Sequence, residues 1–118
     1  MKLAIYDSKS LEWPIEINGR WIAENDIELQ EWELTLNNNC AHIMLYEKNV
    51  DDDSKTIMDF LVLPCRYIKY EKSSAIEALD FTGKNHIIFE VNNLSATHLS
   101  VNVVFEDRVI PLTFYRKE

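Results

Sequence analysis

The sequence predicts a mainly β protein, a single-domain antiparallel β-sandwich or barrel of about eight to ten short strands over residues 1–118. Three observations lead to this class. Apolar residues recur with a period of two in most segments, which is typical of half-buried strands. The length of 118 residues fits one domain, and 47% apolar residues are enough for a core without disulfide or metal crosslinks. No repeat or Gly/Pro-rich linker divides the chain.

The first 36 residues predict short strands joined by one tight hairpin. Leu3 and Ile5 indicate one strand, and the alternating residues between Trp13 and Ile17 indicate another. Asn18-Gly19 is a strong signal for a two-residue turn, because both residues tolerate positive φ. In the segment 27–36 the apolar residues change from odd to even positions. This change of phase predicts a β-bulge near Gln30-Glu31.

The rest of the chain predicts further strands and one short helical segment. Strands are indicated at 40–48, 87–91, 99–105 and 110–115, and Pro111 favours an edge position for the last one. The stretch from Met58 to Leu63 is apolar except for Asp59, which favours a central strand, and 66–72 continues it or forms a separate strand. Ser74 and Glu77 have the spacing of a capping box, so we expect at most about two helical turns near 74–80.

Composition excludes several functional classes. With 12 basic and 20 acidic residues the net charge is −8, which disfavours binding to nucleic acid. The longest apolar run, 60–65, is too short to cross a bilayer, and Asp7 precedes any apolar region of a signal peptide. We therefore expect a cytoplasmic protein that does not bind membranes. Gly19 and Gly83 are the only glycines, so no phosphate-binding loop is possible, and we expect no cofactor.

The negative charge is concentrated in the first half of the sequence. Residues 1–53 hold 12 acidic and four basic residues, whereas residues 54–118 hold eight of each, so the whole net charge of −8 belongs to the first part. The expected hairpin register leaves one outer face with a tryptophan among carboxylates: Glu12, Glu16, Trp21, Glu31 and Glu33, with Glu28 nearby. This composition is typical of a binding hot spot for a basic partner. The alternative is that Trp21 is covered and that the acids only provide solubility.

Other candidate sites are weaker. Cys40 and His42 share a strand face and, with Cys65, His86 or His98, would supply Zn²⁺ ligands. The run 51–53 of three aspartates would supply Ca²⁺ ligands. A cysteine beside a histidine also permits nucleophilic catalysis, and Asp59 with Asp80 or Glu90 permits carboxylate-pair chemistry. Reduced structural thiols and a solvated turn explain these residues more simply, so we expect no metal and no enzyme activity.

The expected function is stoichiometric binding. A small acidic β domain suits the masking of a basic protein surface, most specifically as an immunity protein that neutralises a cationic, nuclease-type toxin, or as an inhibitor of another nucleic-acid enzyme. The alternatives are a β-sandwich structural subunit of a phage or surface assembly, and a module that binds a small ligand or carbohydrate. A monomer or a small homo-oligomer is compatible with each of these functions.

Overall fold

A computed structural model describes residues 9–25, 28–52, 54–70, 72–80 and 82–117, and the side chains from residue 12 onward. The expected strand at Leu3 and Ile5 lies outside the described residues. The strands in chain order are β1 (Lys9–Leu11), β2 (Gly19–Asn25), β3 (Gln30–Leu36), β4 (Cys40–Lys48), β5 (Lys55–Lys69), β6 (Ser74–Leu79), β7 (His86–Leu94), β8 (His98–Phe105) and β9 (Arg108–Lys117). A 3-10 turn, Ile15–Ile17, lies between β1 and β2.

The strands form a closed antiparallel barrel. Their order around it is β5-β4-β3-β2-β9-β8-β7-β6, and β6 pairs back onto β5. Closure depends on the 15-residue strand β5, whose residues 55–64 pair with β4 and whose residues 65–69 pair with β6. The short strand β1 pairs with the same final residues of β5, 67–69. The predicted mainly β, antiparallel class is confirmed, and the architecture is an eight-stranded barrel.

Inward-facing side chains fill the barrel. The largest fully buried ones include Trp21, Phe89 and Phe114, and the rings of Phe89 and Phe114 meet edge to face with centroids 6.4 Å apart. The interior space lined by Trp32, Leu61 and Phe105 measures only about 20 Å³. Such a barrel is a packed core and not a container for a ligand, because side chains occupy its interior.

Arg116 closes one end of the barrel. Its guanidinium lies 4.1 Å from the ring centroid of Trp21, which allows a cation–π contact. The same group donates hydrogen bonds to the backbone oxygens of Glu16 (2.6 Å), Asn18 (2.7 Å) and Ala96 (2.8 Å). One side chain of β9 therefore holds together the 3-10 turn and the turn between β7 and β8. We call this end of the barrel the Arg116 end.

The expected helical segment near 74–80 is wrong, because Ser74–Leu79 is strand β6. Its neighbours β5 and β7 both pair with it, and Ala75, Ile76 and Ala78 are buried. The carboxylate of Glu77, expected to cap a helix, instead accepts a hydrogen bond from Arg66. Pairing on both edges of the segment outweighs a local capping signal of about 1 kcal/mol.

The expected hairpin at Asn18-Gly19 is also wrong, since Gly19 is the first residue of β2 and pairs with Leu36. The preceding residues are not a strand: they form the 3-10 turn, in which Ile15 is 76% exposed and Ile17 is buried. Asn18 accepts a hydrogen bond from the indole of Trp13 (2.7 Å) and thereby fixes this turn over the barrel end. The Asn-Gly signal depends only on two residues. The preceding Trp13 and Ile17 are buried against the core, and this burial decides the local structure.

The other differences concern strand edges. The bulge expected at Gln30-Glu31 is absent from the registers of β3 with β2 and β4, and the change of phase falls in the preceding turn, where Leu29 has φ 53°. The expectation that 58–63 is a central strand is wrong, because in the described part of the chain these residues pair only with β4, and Phe60 is 53% exposed. Pro111 lies in a section of β9 that β2 does not pair with, so its edge position is confirmed.

Replacing Gly19 with alanine tests the closed Arg116 end. Gly19 has φ +137°, and an added Cβ would lie 2.4 Å from Nη1 of Arg116, so we expect a loss of about 3 kcal/mol in the free energy of unfolding. Gly83 has φ +73° with no atom within 4 Å of an added Cβ, so Gly83→Ala is the matched control, with a loss of about 1 kcal/mol. Urea denaturation measures both, and equal losses would contradict the steric argument.

Candidate functional site

The residues predicted to form one acidic face are dispersed in the structure. The exposure expected for Trp21 is wrong: the side chain lies inside the barrel, is 0% exposed and donates a hydrogen bond to the backbone oxygen of Ile17 (3.0 Å). Glu12 and Glu16 are exposed at the Arg116 end. Glu28 lies in the turn between β2 and β3, at the opposite end. The failed hairpin register explains this dispersal, since it had assigned Trp21 to the wrong face.

Glu31 and Glu33 do share the outer face of β3, but each is paired with a base. Glu31 binds Lys55 of β5 at 2.6 Å, and Glu33 binds Arg20 of β2. The hydrogen bond from Arg20 lowers the pKa of Glu33, although burial of this 8% exposed residue opposes the charged form. The Arg20–Glu33 pair joins the neighbouring strands β2 and β3, whereas the Lys55–Glu31 pair reaches across β4 from β5 to β3. The expectation that the two carboxylates contact a partner stays a prediction.

Three turns meet at the end of the barrel opposite Arg116. The turn between β2 and β3 contacts β4, since the backbone N–H of Lys48 donates to the oxygen of Leu29 at 2.8 Å. It also contacts the turn between β8 and β9, because Arg108 forms an ion pair with Glu28. The turn between β4 and β5 follows Lys48 directly. We call the surface formed by these three turns, residues 28–29, 47–52 and 106–109, the acidic end.

Most carboxylates of the acidic end have no cationic partner. Five of its acidic residues are exposed and form no ion pair within the described part of the chain: Glu47, Asp51, Asp52, Glu106 and Asp107. Three of the bases nearby are engaged, Lys48 with Glu24, Lys55 with Glu31 and Arg108 with Glu28, and a fourth, Lys84, lines a surface pocket together with Glu106. The pKa of Asp52 is lowered by hydrogen bonds from Ser54, so this carboxylate stays charged. The acidic end is therefore a concentrated negative surface.

Exposed aliphatic side chains lie among these carboxylates. Leu29 is 43% exposed and Val50 77%, each in a turn, and Val109, at the start of β9, is 62% exposed. Apolar side chains next to charges are the composition of a protein interface, in which the apolar centre supplies the burial and the charges surround it. This arrangement offers a surface for a macromolecule of opposite charge.

Sequence reasoning missed the acidic end for a physical reason. Its residues come from three segments that are far apart in the chain, and Glu106, Asp107 and Val109 belong to the half that carries no net charge. A pattern in one segment says nothing about which turns closure brings together. The only available signal was that each turn pairs an aliphatic residue with acids, as in Val50-Asp51-Asp52.

A second polar group lies on the outer wall of β5, β6 and β7. Glu77 is 6% exposed and accepts from Arg66 at 2.7 Å, and its other oxygen lies 2.9 Å from Nε2 of His86. Burial favours the neutral form of Glu77, but the hydrogen bonds from Arg66 and His86 together outweigh it and lower its pKa. Burial also raises the pKa of Tyr70, with Glu77 and Glu90 adding to the effect. Both oxygens of Glu77 are occupied, so its role is structural.

Of the alternative catalytic and metal sites, the aspartate run 51–53 lies only partly within the described residues, because Asp53 is outside them. No group of three or more His, Cys, Asp or Glu side chains suited to a metal occurs among the described residues. Cys40 and Cys65 are free thiols, and burial, followed by the charge of Cys40, raises the pKa of Cys65 to about 12. Asp59 is exposed, and its carboxylate accepts from the backbone N–H of Phe60 at 2.9 Å. Arg66, which could have paired with Asp59, binds Glu77.

No helix in the described ranges is long and apolar enough to cross a membrane. Comparisons with protein-family models, with curated proteins and with solved structures find no match to this chain.

Replacing Glu77 with glutamine tests the buried carboxylate. Because the pKa of Glu77 is lowered in the folded protein, its contribution to stability is present above the ordinary carboxyl pKa of 4.5 and is lost as pH falls through the lowered value. We expect Glu77→Gln to lose about 2 kcal/mol at pH 7, and the difference from wild type to shrink below about pH 4.5. Denaturation at several pH values measures this, with the exposed Glu47→Gln as control. A difference that stays constant down to low pH would contradict the assignment.

Thiol labelling tests the buried cysteine. With a pKa of about 12, Cys65 is about one part in ten thousand thiolate at pH 8, so folded Cys40→Ala protein should resist iodoacetamide. The same protein in urea should be labelled quickly, which controls for the reagent. Fast labelling of Cys65 in the folded state, measured by mass spectrometry, would show that the thiol is accessible and reactive.

Proposed function

We propose that this chain is a stoichiometric binding protein whose acidic end covers a basic surface of another protein. The observation that carries the proposal is the meeting of three turns that together present five carboxylates without cationic partners and three exposed aliphatic side chains. On the barrel wall Glu31 and Glu33 are each paired with a base from another strand. The acidic end thus combines unpaired charge with exposed apolar area.

The two components of this surface have different physical effects. Clustered negative charge speeds the encounter with a basic protein, by about 10- to 1,000-fold at low ionic strength. The aliphatic side chains of Leu29, Val50 and Val109 supply apolar area, whose removal from water stabilises the complex once it has formed. A surface that uses both effects suits fast and lasting inhibition.

The most specific form of the proposal is an immunity protein acting in the cytoplasm on a cationic, nuclease-type toxin. Nuclease active sites are basic because they bind phosphates, so a carboxylate-rich surface complements them. The filled barrel interior supports a function carried by the surface, since a space of about 20 Å³ does not hold a substrate or a sugar. A toxin or nucleic-acid enzyme is then the partner, and the complex contains one copy of each chain.

Charge reversal at the acidic end tests this function. The probe is a panel of purified cationic nucleases, with association measured by stopped-flow fluorescence. Glu47→Lys with Asp107→Lys changes two exposed, unpaired carboxylates in different turns, and we expect the association rate to fall at least about 10-fold at low salt. Glu12→Lys with Glu16→Lys makes the same change in net charge at the Arg116 end and should have a much smaller effect.

The two double variants also decide between surfaces. A larger loss for Glu12→Lys with Glu16→Lys would place binding at the Arg116 end and overturn the proposal. Association that does not slow with added salt would overturn it as well, because steering by charge is screened at physiological ionic strength.

A further inference from the structure

The strand β5 has an unpaired edge. Its residues 55–64 pair with β4 on one side, while β6 pairs only with residues 65–69 on the other. In the described part of the chain no strand occupies the second edge of 55–64, so a row of backbone N–H and C=O groups is left without strand partners. At about 3.3 Å per residue this edge is roughly 33 Å long.

The contacts of Phe60 show that the edge is open. Its backbone N–H donates to the carboxylate of the neighbouring Asp59 at 2.9 Å. The Asp59 carboxylate thus accepts the hydrogen bond that the Phe60 N–H would donate to a neighbouring strand. Charged residues on an edge also discourage non-specific pairing. Asp59 therefore occupies the position that an added strand would take.

The outer face beside this edge is apolar. Ile57 is 57% exposed, Phe60 53% and Val62 49%, and only Lys55 and Asp59 are charged between residues 55 and 64. The adjoining pairs Lys55–Glu31 and Arg20–Glu33 add no net charge to the face. Exposed apolar side chains along an open strand edge are a template for adding another strand.

We propose that the open edge of β5 pairs antiparallel with the same edge of a second copy of this chain, around a two-fold axis at Phe60. This proposal does not rest on the proposed function, although it directs two carboxylates of the acidic end, those of Asp51 and Asp52, toward the second copy. A two-fold contact requires a surface that is complementary to itself. The side-chain directions of β5 meet this requirement in one register.

The register follows from the irregularity in β5. Leu45 pairs with Asp59 and Tyr46 with Ile57, so Met58 is the extra residue of a bulge. If the second copy passes over the bulge in the same way, outward residues meet outward residues along the whole free edge. The pairs are then Phe60 with Phe60, Val62 with Ile57, and Pro64 with Lys55 on the outer face, with Asp59 opposite Leu61 and Thr56 opposite Leu63 on the inner one. No like charges oppose each other in this alignment.

Charge favours a second copy as the occupant. The strand β5 runs from the acidic end toward Arg66, Lys69 and Lys72. Antiparallel pairing therefore directs the turn with Asp51 and Asp52 of one copy toward the exposed bases of the other. Arg66 is bound to Glu77 through Nε only, and its side chain is 51% exposed, so it is accessible to these carboxylates. The contact is made twice, because the axis relates the two copies.

Sedimentation equilibrium of the full chain tests the dimer. We expect a reversible monomer–dimer equilibrium, and Phe60→Lys should weaken the dimer at least about 10-fold, because two lysines then face each other across the axis. Asp59→Ala should tighten it at least about 3-fold, since the competing acceptor of the Phe60 N–H is removed. Ile15→Lys is the matched control, an exposed apolar residue in the 3-10 turn, and should leave the dimer unchanged.

Disulfide trapping tests the register in the Cys40→Ala background, in which Cys65 stays buried. Directly opposed residues on paired strands lie about 5.5 Å apart at Cα, within the range that a disulfide spans. Phe60→Cys should therefore crosslink two copies, and Val62→Cys should not, because it faces Ile57. Wild-type protein that is monomeric at about 1 mM, or crosslinking at position 62 in place of position 60, would overturn the proposal. Loss of the dimer with intact binding of a basic protein would leave the proposed function standing.

Discussion

The shared strand β5 is the constraint on which the rest of the structure depends. A sheet with one buried face needs partners for its backbone groups, and this chain satisfies most of them by closing the sheet into a barrel. Closure is possible because β5 spans 15 residues and pairs first with β4 and then with β6. Because β4 and β6 pair with different parts of β5, the hairpin of β4 and β5 extends past the end of β6. One edge of β5 therefore stays open.

The distribution of charge follows from this architecture. On the barrel wall, acids and bases of different strands lie within reach of one another, and Glu31, Glu33 and Glu77 are each held by a base. At the acidic end Arg108 binds Glu28, whereas the other five acids form no ion pair within the described residues. Arg116 has the opposite role at the other end, where its guanidinium binds three backbone oxygens and the face of Trp21. The Arg116 end is thus held together by a guanidinium, whereas the acidic end presents unpaired carboxylates.

Alternation of apolar residues predicted most of the strands, because period two is imposed by the strand itself. It predicted the buried faces of β3 and β8 through Trp32, Leu34 and Val101. Signals of only two or four residues failed: Asn18-Gly19 is not a hairpin, and the Ser74 capping pattern lies in a strand. These signals are worth about 1 kcal/mol, which is less than pairing and burial of the whole segment contribute. The candidate site could not be predicted, since the segments that carry Glu47 and Asp107 come to the same end of the barrel only after closure.

The sequence by itself determined the class of fold and the absence of a phosphate-binding loop, because both depend on residue types and their local spacing. It also determined the net charge of −8. Only the tertiary structure decided where that charge acts. It placed Trp21 in the core, paired Glu31 and Glu33 with bases, and brought three distant turns together at the acidic end. The physical reason is that closure of a staggered barrel is a property of all strands together, and no single segment encodes which turns become neighbours.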